Sequence, residues 1–267
     1  MKRYRSTETG VELMEGDRST FICPNATSSA WRDFLAWQDL GNIPDPPVTR
    51  PYAAPAGEPK SLWIVGAGGF GREVFSMSAD ARGAGVEWRL AGFLNDIPSA
   101  LDGFTGYPPI RGGTDYVPQA DDVFLCAIGD LAGRERVCAR LQARGARFIN
   151  LLQPSSLIAG TAQLGEGVIV EAFAGIGANA RIGSFSFILG HANIAHDVVV
   201  GEYAQVSPFA CLLGRAEVGD GSMIGSHAVI LPGVKIGRRA VVGAGAIVLK
   251  NVPDGETVFG VPATRLK

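Results

Sequence analysis

Beginning at Leu152 and ending at Val248, every sixth residue is leucine, isoleucine or valine, through seventeen consecutive hexads without a slip. With those three types at about a quarter of positions, chance gives such a run a probability on the order of 10⁻¹⁰. A second register keeps step with it. From Ala162 to Ala246 every sixth residue is alanine or serine, apart from Val168, Val198 and Val234. A repeat of six suits neither an α-helix nor an isolated strand, whose side-chain periods are 3.6 and 2. It does suit a solenoid of triangular cross-section, one hexad to a side and three hexads to a coil. The aliphatic residue then points into the prism and the small residue lets the chain turn a corner. At eight places from Gly165 to Gly243 a glycine follows the aliphatic position.

This is the hexapeptide-repeat signature of a left-handed parallel β-helix, predicted over residues 151–267 with no loop interrupting the coils. Residues 61–150 follow a different pattern. The strand-like run "SLWIV" leads into "GAGGFGREV" and a helix to about Arg82; "EWRLAGFL" and "DVFLCAIG" read as further strands, and "LAGRERVCARLQARG" as an amphipathic helix. Strands alternating with helices predict a small Rossmann-like parallel sheet. Gly66, Gly68 and Gly71 fit a phosphate loop, where bare backbone lets amides and a helix N-terminus approach an anion. The alternative is a purely structural glycine turn, because the segment is only half the length of a full dinucleotide-binding domain. Residues 1–60 form a third segment. "SSAWRDFLAWQDLGN" spaces Trp31, Phe34, Leu35 and Leu40 helically, with Ser29 as N-cap and Gly41 as stop. Six prolines between Pro44 and Pro59 predict a semi-rigid linker.

Two of the three histidines lie in "LGHANIAHDVVVGE", residues 189–202. In the six-residue frame His196 falls two residues past Ile194, outward-facing on a flat side, which excludes a core histidine. Residues 18 apart stack one rung above each other, about 4.8 Å away. Over His196 stands Gly214, which leaves an amide open and no side chain to cover the imidazole. A neutral imidazole beside an open backbone N–H is the pair that acyl transfer needs, one taking the nucleophile's proton and the other stabilising the oxyanion. Asp197 could orient the ring, although neighbours on a strand point to opposite faces. Cys211 has no evident activating base, so direct transfer without an acyl-enzyme is expected.

Residues 61–267 resemble the bacterial sugar O-/N-acyltransferases of the sialic-acid O-acetyltransferase type, relatives of enzymes that acetylate UDP-linked 4-amino sugars. The motifs are "IVGAGGFGREV", "FLCAIGD", "NIAHDVVVGEYAQVSP" and "VPDGETVFGVPATRL". "IAHD" also resembles the catalytic histidine segment of UDP-N-acetylglucosamine acyltransferases. The resemblance implies His196 as general base, Asp197 tuning it, and Gly214 contacting the thioester of acetyl-CoA. It further implies a homotrimer with the CoA along the coils between subunits, near Gln205, Gly214, Ser226 and Ala244. A sugar or nucleotide sugar would lie against Gly68, Gly69, Phe70, Gly71, Asn95, Asp96 and Gly129. Two positions depart from the pattern: Phe70 and Gln205 stand where the family often has histidine, which bears on the acceptor more than on the chemistry. The helix before "GNIPDP", preceded by "YRSTETG", resembles short segments of phage tail-associated proteins.

Two other readings compete. His191 and His196 resemble the H-x₄-H of β-helical γ-class carbonic anhydrases, but a catalytic zinc needs three protein ligands. The third should fall at Ser155, and His227 lies two coils to the wrong side, so no metal is expected. His191, Phe209 and His227 instead share one column. The second alternative is a non-catalytic trimeric β-helix scaffold attached through the N-terminal arm. Lys and Arg total 24 against 26 Asp and Glu, a net charge of −2 that supports neither nucleic-acid nor membrane-surface binding. The four cysteines (Cys23, Cys126, Cys138 and Cys211) show no paired or metal-binding spacing. With no signal-peptide core and no apolar run of about 18 residues, a cytoplasmic protein is expected, and the resemblances imply a bacterial or phage origin.

Overall fold

The structure is a computed structural model that describes residues 3–6, 11–15, 18–22, 29–39, 59–79, 81 and 87–266. The chain divides into two compact units, Met1–Ala54 and Pro55–Lys267. The first holds an antiparallel meander of β1 (Arg3–Ser6), β2 (Val11–Glu15) and β3 (Arg18–Ile22), which no pattern in the sequence predicted, and helix α1 (Ser29–Asp39). Ser29 is the first residue of α1, Phe34 is buried and Leu35 is exposed. The predicted stop at Gly41 and the proline run before Pro59 lie outside the described residues.

The second unit begins with β4 (Lys60–Val65), which runs into α2 (Gly69–Ser78) through the glycine loop. After α2 come β5 (Trp88–Leu94), β6 (Ile110–Gly112), β7 (Asp122–Cys126) and α3 (Leu131–Gln142). The four strands form one parallel sheet in the order β6-β5-β4-β7. α2 ends at Ser78, short of the Arg82 expected, and the three-residue β6 had no legible pattern. α3 starts where Asp130 caps it, accepting the Gly133 N–H at 2.7 Å.

From Leu151 the chain winds into the expected left-handed parallel β-helix, a prism with three sheets for faces. Its two-residue strands pair at a separation of 18, as in Ile176 with Ile194 and Ile194 with Leu212. The hexad aliphatics from Val170 to Val248 are buried, while Ile158 and Leu164 in the first coil are half-buried because no complete coil lies beneath them. The last coil is shorter, since Val242 pairs with Val258. Among the described residues no helix is long and apolar enough to cross a membrane.

The corners are built differently from the sequence expectation. The turn is made by the residue just before each small one, held in the left-handed region at φ 54–62° by Phe173, Asn179, Phe185, His191, Asp197, Tyr203, Phe209, Arg215, His227 and Arg239. Glycine does the same at 167, 221, 233 and 245. For an L-residue that conformation costs about 1–2 kcal/mol. The cost is offset because most corner N–H groups reach a carbonyl one rung below, as Asp197 does to Ala178 at 2.9 Å and Arg215 to His196 at 3.1 Å, while that of Asn179 donates to Thr161 Oγ1 at 3.0 Å. The small residue is needed next because it turns inward, and Ala192, Ala204 and Ala210 are fully buried.

Both sides of the sheet meet the prism, with Trp63, Val65, Leu94 and Phe124 sharing a core with Phe185. Leu62, Ile64, Phe93 and Leu125 share a core with Ile169 and Phe187. The Arg134 guanidinium is buried in the junction, its Cζ 3.9 Å from the centre of the Phe187 ring and its Nη2 donating to the Tyr203 carbonyl at 2.6 Å.

Candidate active site

His196 and Asp197 are the two turn residues of one prism corner, so His196 does not lie on a flat side as the six-residue frame suggested. The positive φ of Asp197 also removes the strand alternation that would have parted the two side chains. The Asp197 carboxylate turns back, and its Oδ2 lies 2.8 Å from His196 Nδ1. Asn179, one rung below, donates to Asp197 Oδ1 at 3.3 Å. The hydrogen bond with His196, and then that with Asn179, hold the Asp197 carboxyl below its ordinary pKa. The ionised form therefore persists to lower pH than that of an ordinary carboxylate. An ionised Asp197 requires the proton on Nδ1, so that in the neutral imidazole the lone pair is on Nε2.

That nitrogen faces Gly214. A Cβ placed on Gly214 would lie 2.7 Å from His196 Nε2 and 2.8 Å from Cε1, so only glycine admits the imidazole in this position. Among the described residues the Gly214 N–H donates to no protein group, a property it shares with the first residue of several corner turns. Imidazole and carboxylate are both solvent-accessible, with side-chain exposures of 59% and 44%.

The residues predicted for an acceptor separate into groups. Gly68, Gly69 and Gly129 are open, with nothing within 4 Å of an added Cβ. Gly68 and Gly129 belong to the loops after β4 and β7, at the carboxyl ends of neighbouring strands, where open α/β sheets hold ligands, and Gly69 opens α2. Gly71 serves packing, since a Cβ there would sit 2.0 Å from the Gly66 carbonyl oxygen. Asn95 ties the end of β5 to this loop by accepting the Ala67 N–H at 3.2 Å and donating to Ile97 at 2.8 Å. Asp96 turns to the β6 side, where both its oxygens bind Thr114, at 2.6 and 2.8 Å. Phe70 points toward the prism, its ring 4.7 Å from that of Phe187.

The residues predicted for CoA lie elsewhere on the prism. Ser226 and Ala244 lie on the corner edge of His191 and His227, one turn position earlier, and Gln205 is on an adjacent face, its Nε2 donating to Ser207 Oγ at 3.4 Å. Within one chain none of the three shares the His196 edge. The same edge also carries a ladder of rings, Phe173, His191, Phe209 and His227, with centroids 4.9, 4.7 and 4.9 Å apart and interplanar angles of 21°, 4° and 15°. The His191 imidazole is thus sandwiched between two phenyl rings. No group of three or more His, Cys, Asp or Glu placed to hold a metal occurs among the described residues.

A cleft of about 720 Å³ opens between α2 and this second edge, lined among others by Gly69, Met77, Tyr107, Glu171, Phe173 and His191. Sequence reasoning missed it. The rung count places Glu171 below Leu189, but no sequence spacing tells which edge α2 covers.

These features define a class: a glycine-loop α/β layer built onto a hexapeptide-repeat β-helix. Known families match each part, the PglD N-terminal domain over residues 61–141 and the bacterial transferase hexapeptide (six repeats) over residues 215–250. The UDP-N-acetylbacillosamine N-acetyltransferase of Bacillus subtilis (strain 168) is 35% identical over 121 residues, 42% of this chain. The match spans about half of that relative's length, 52%. The acetyltransferase domain of PglB from Neisseria gonorrhoeae FA1090, solved with acetyl coenzyme A, superposes with a TM-score of 0.70 at 27% identity, covering 78% of this chain and 100% of that one. PerB from Caulobacter crescentus, solved with CoA and GDP-perosamine, gives 0.70 at 28% identity, covering 78% and 97%.

Proposed function

We propose that this chain is an acyl-CoA-dependent N-acyltransferase, with acetyl-CoA as donor and a nucleotide-linked amino sugar as acceptor. The observation that carries the reading is the His196 imidazole, held through Nδ1 by Asp197 and presenting Nε2 against Gly214. Nε2 takes a proton from the acceptor amine as its nitrogen attacks the thioester carbonyl. The oxyanion that forms receives the Gly214 N–H, a contribution of roughly 3–4 kcal/mol for a well-placed donor. Collapse of the tetrahedral intermediate breaks the C–S bond, and the departing CoA thiolate recovers the proton from the imidazolium. No acyl-enzyme is needed, since burial pushes the Cys211 thiol above its ordinary pKa and so away from the nucleophilic thiolate. The relative named for N-acetylation, the UDP-N-acetylbacillosamine N-acetyltransferase, supports amine acylation over O-acetylation of the sialic-acid type, and the two structures solved with acetyl coenzyme A or CoA support the donor.

His196 and the cleft beside His191 stand on different edges of one prism. In the proposed homotrimer, an acceptor seated in one copy's cleft meets the His196 edge of a neighbour. The groove between them takes the CoA past Gln205, Ser226 and Ala244. The open backbone at Gly68, Gly69 and Gly129 holds the nucleotide phosphates.

The test is thiol release from acetyl-CoA with UDP- and GDP-linked 4-amino sugars. His196→Ala should lose about 10²- to 10⁴-fold in turnover while its thermal transition stays in place. Full activity in that variant would overturn the mechanism.

A further inference from the structure

One titratable side chain in the cleft has no part in the acyl transfer. Glu171 follows the inward Val170 and lies half-buried in the lining. Its Oε2 accepts the Gly190 N–H at 2.8 Å, and among the described residues no Lys, Arg or His forms an ion pair with it. The guanidinium in the lining, Arg72, stacks on Phe104 with its Cζ 3.7 Å from the ring centroid. Met77, Tyr107, Phe173 and Leu189 make much of the remaining wall apolar. Burial pushes the Glu171 carboxyl up; the Gly190 N–H opposes this, and Glu73, also in the cleft lining, adds to the rise.

A partly desolvated carboxylate with no cation beside it favours a ligand that brings positive charge or N–H and O–H donors. It opposes a ligand that brings a second anion, and the low local dielectric magnifies both effects. We infer that Glu171 is a specificity-determining residue that selects acceptor sugars bearing an amine and rejects sugars bearing a carboxylate. This rests on the acyl-transfer reading above. The apolar and aromatic wall then covers the sugar ring, and Glu171 Oε1 takes its polar donors. An acidic sugar of the sialic-acid kind would place its carboxylate against Glu171, and Arg72 is already committed to Phe104.

The test uses the full chain and the isosteric Glu171→Gln, with thermal melts to verify folding. Kinetics with a UDP-linked 4-amino sugar are combined with competition by UDP-glucose and UDP-glucuronate, which differ at one carboxylate. In the native protein UDP-glucuronate should compete about tenfold less well than UDP-glucose. Glu171→Gln should abolish that difference and raise KM for the amino sugar by about 10- to 100-fold, the range expected for a lost hydrogen bond to a charged group. kcat should stay within about threefold of native, as a loss of uniform binding requires. Glu171→Asp, which keeps the charge, should restore discrimination, and it also serves if the glutamine variant melts early. Equal competition in the native protein, or an unchanged KM in Glu171→Gln, overturns the role of Glu171 alone. If the native protein releases no thiol with any nucleotide amino sugar, the acyl-transfer reading fails first and takes this inference with it.

Discussion

The edge that carries His191 and the edge that carries His196 share one backbone. Both turn through a left-handed residue and both continue upward every 18 residues through the same corner hydrogen bonds. They differ in which turn position the histidine occupies and in what stands one rung above it. His191 is the left-handed residue itself, and Phe209 covers its ring. His196 precedes the left-handed residue, and the position above it is a glycine. The first imidazole is taken up by stacking, whereas the second keeps a free nitrogen beside an open amide. Chemistry on such a scaffold is therefore set by vertical pairs of residues, not by single ones.

Several substitutions would break or sharpen that contrast. The largest effect belongs to His196→Ala, whose loss of turnover should leave the fold intact. Next comes Leu212→Ala, which opens a cavity in the core common to both edges. It should cost about 2–5 kcal/mol, read from denaturant unfolding, and a cost near zero would contradict the continuous core. Gly214→Ala places a methyl group where His196 now lies and must displace the ring. Turnover should fall by about 10²-fold, comparable to losing one oxyanion or base contribution, with acetyl-CoA consumption as the readout and a near-native melting curve as the control. For Asp197→Asn the expected fall in kcat is smaller, about tenfold, because an exposed orienting group is replaced by one that can still hydrogen-bond; a native kcat would show that the imidazole needs no orienting partner. The smallest effect should come from Phe209→Ala on the other edge. It removes two ring contacts worth about 0.5–1.5 kcal/mol each, lowers the melting temperature, and leaves kcat where it was.

The prism was legible because a solenoid turns sequence distance into spatial distance. A separation of 18 residues alone put Gly214 over His196 and aligned His191 with Phe209 and His227. The same logic failed at finer grain. It placed the corner at the small residue, since hydrophobicity carries no record of the left-handed turn at Asp197. It therefore misjudged how readily Asp197 reaches His196. In the α/β layer the glycine loop was legible, because Gly66, Gly68 and Gly71 answer to local backbone geometry. The commitment of Asp96 to Thr114 and the turning of Phe70 onto Phe187 were not. Those contacts join elements whose separation in sequence follows no period. The edge strand β6 escaped for a simpler reason, being too short to show a pattern, and the meander β1–β3 escaped because VELME and RSTFI neither alternate nor form an apolar run.

The sequence by itself determined the winding of this chain, its inward and outward faces, and the meeting of one imidazole with one bare amide. Each of these depends on contacts that recur at a fixed interval. Only the tertiary structure decided which edge the α/β layer covers, and hence that Glu171 faces a cleft and that the glycine loop stands near His191 instead of His196. Docking of unlike elements depends on the shape and burial of whole surfaces, such as Phe187 beneath Arg134, and no interval in the chain encodes it.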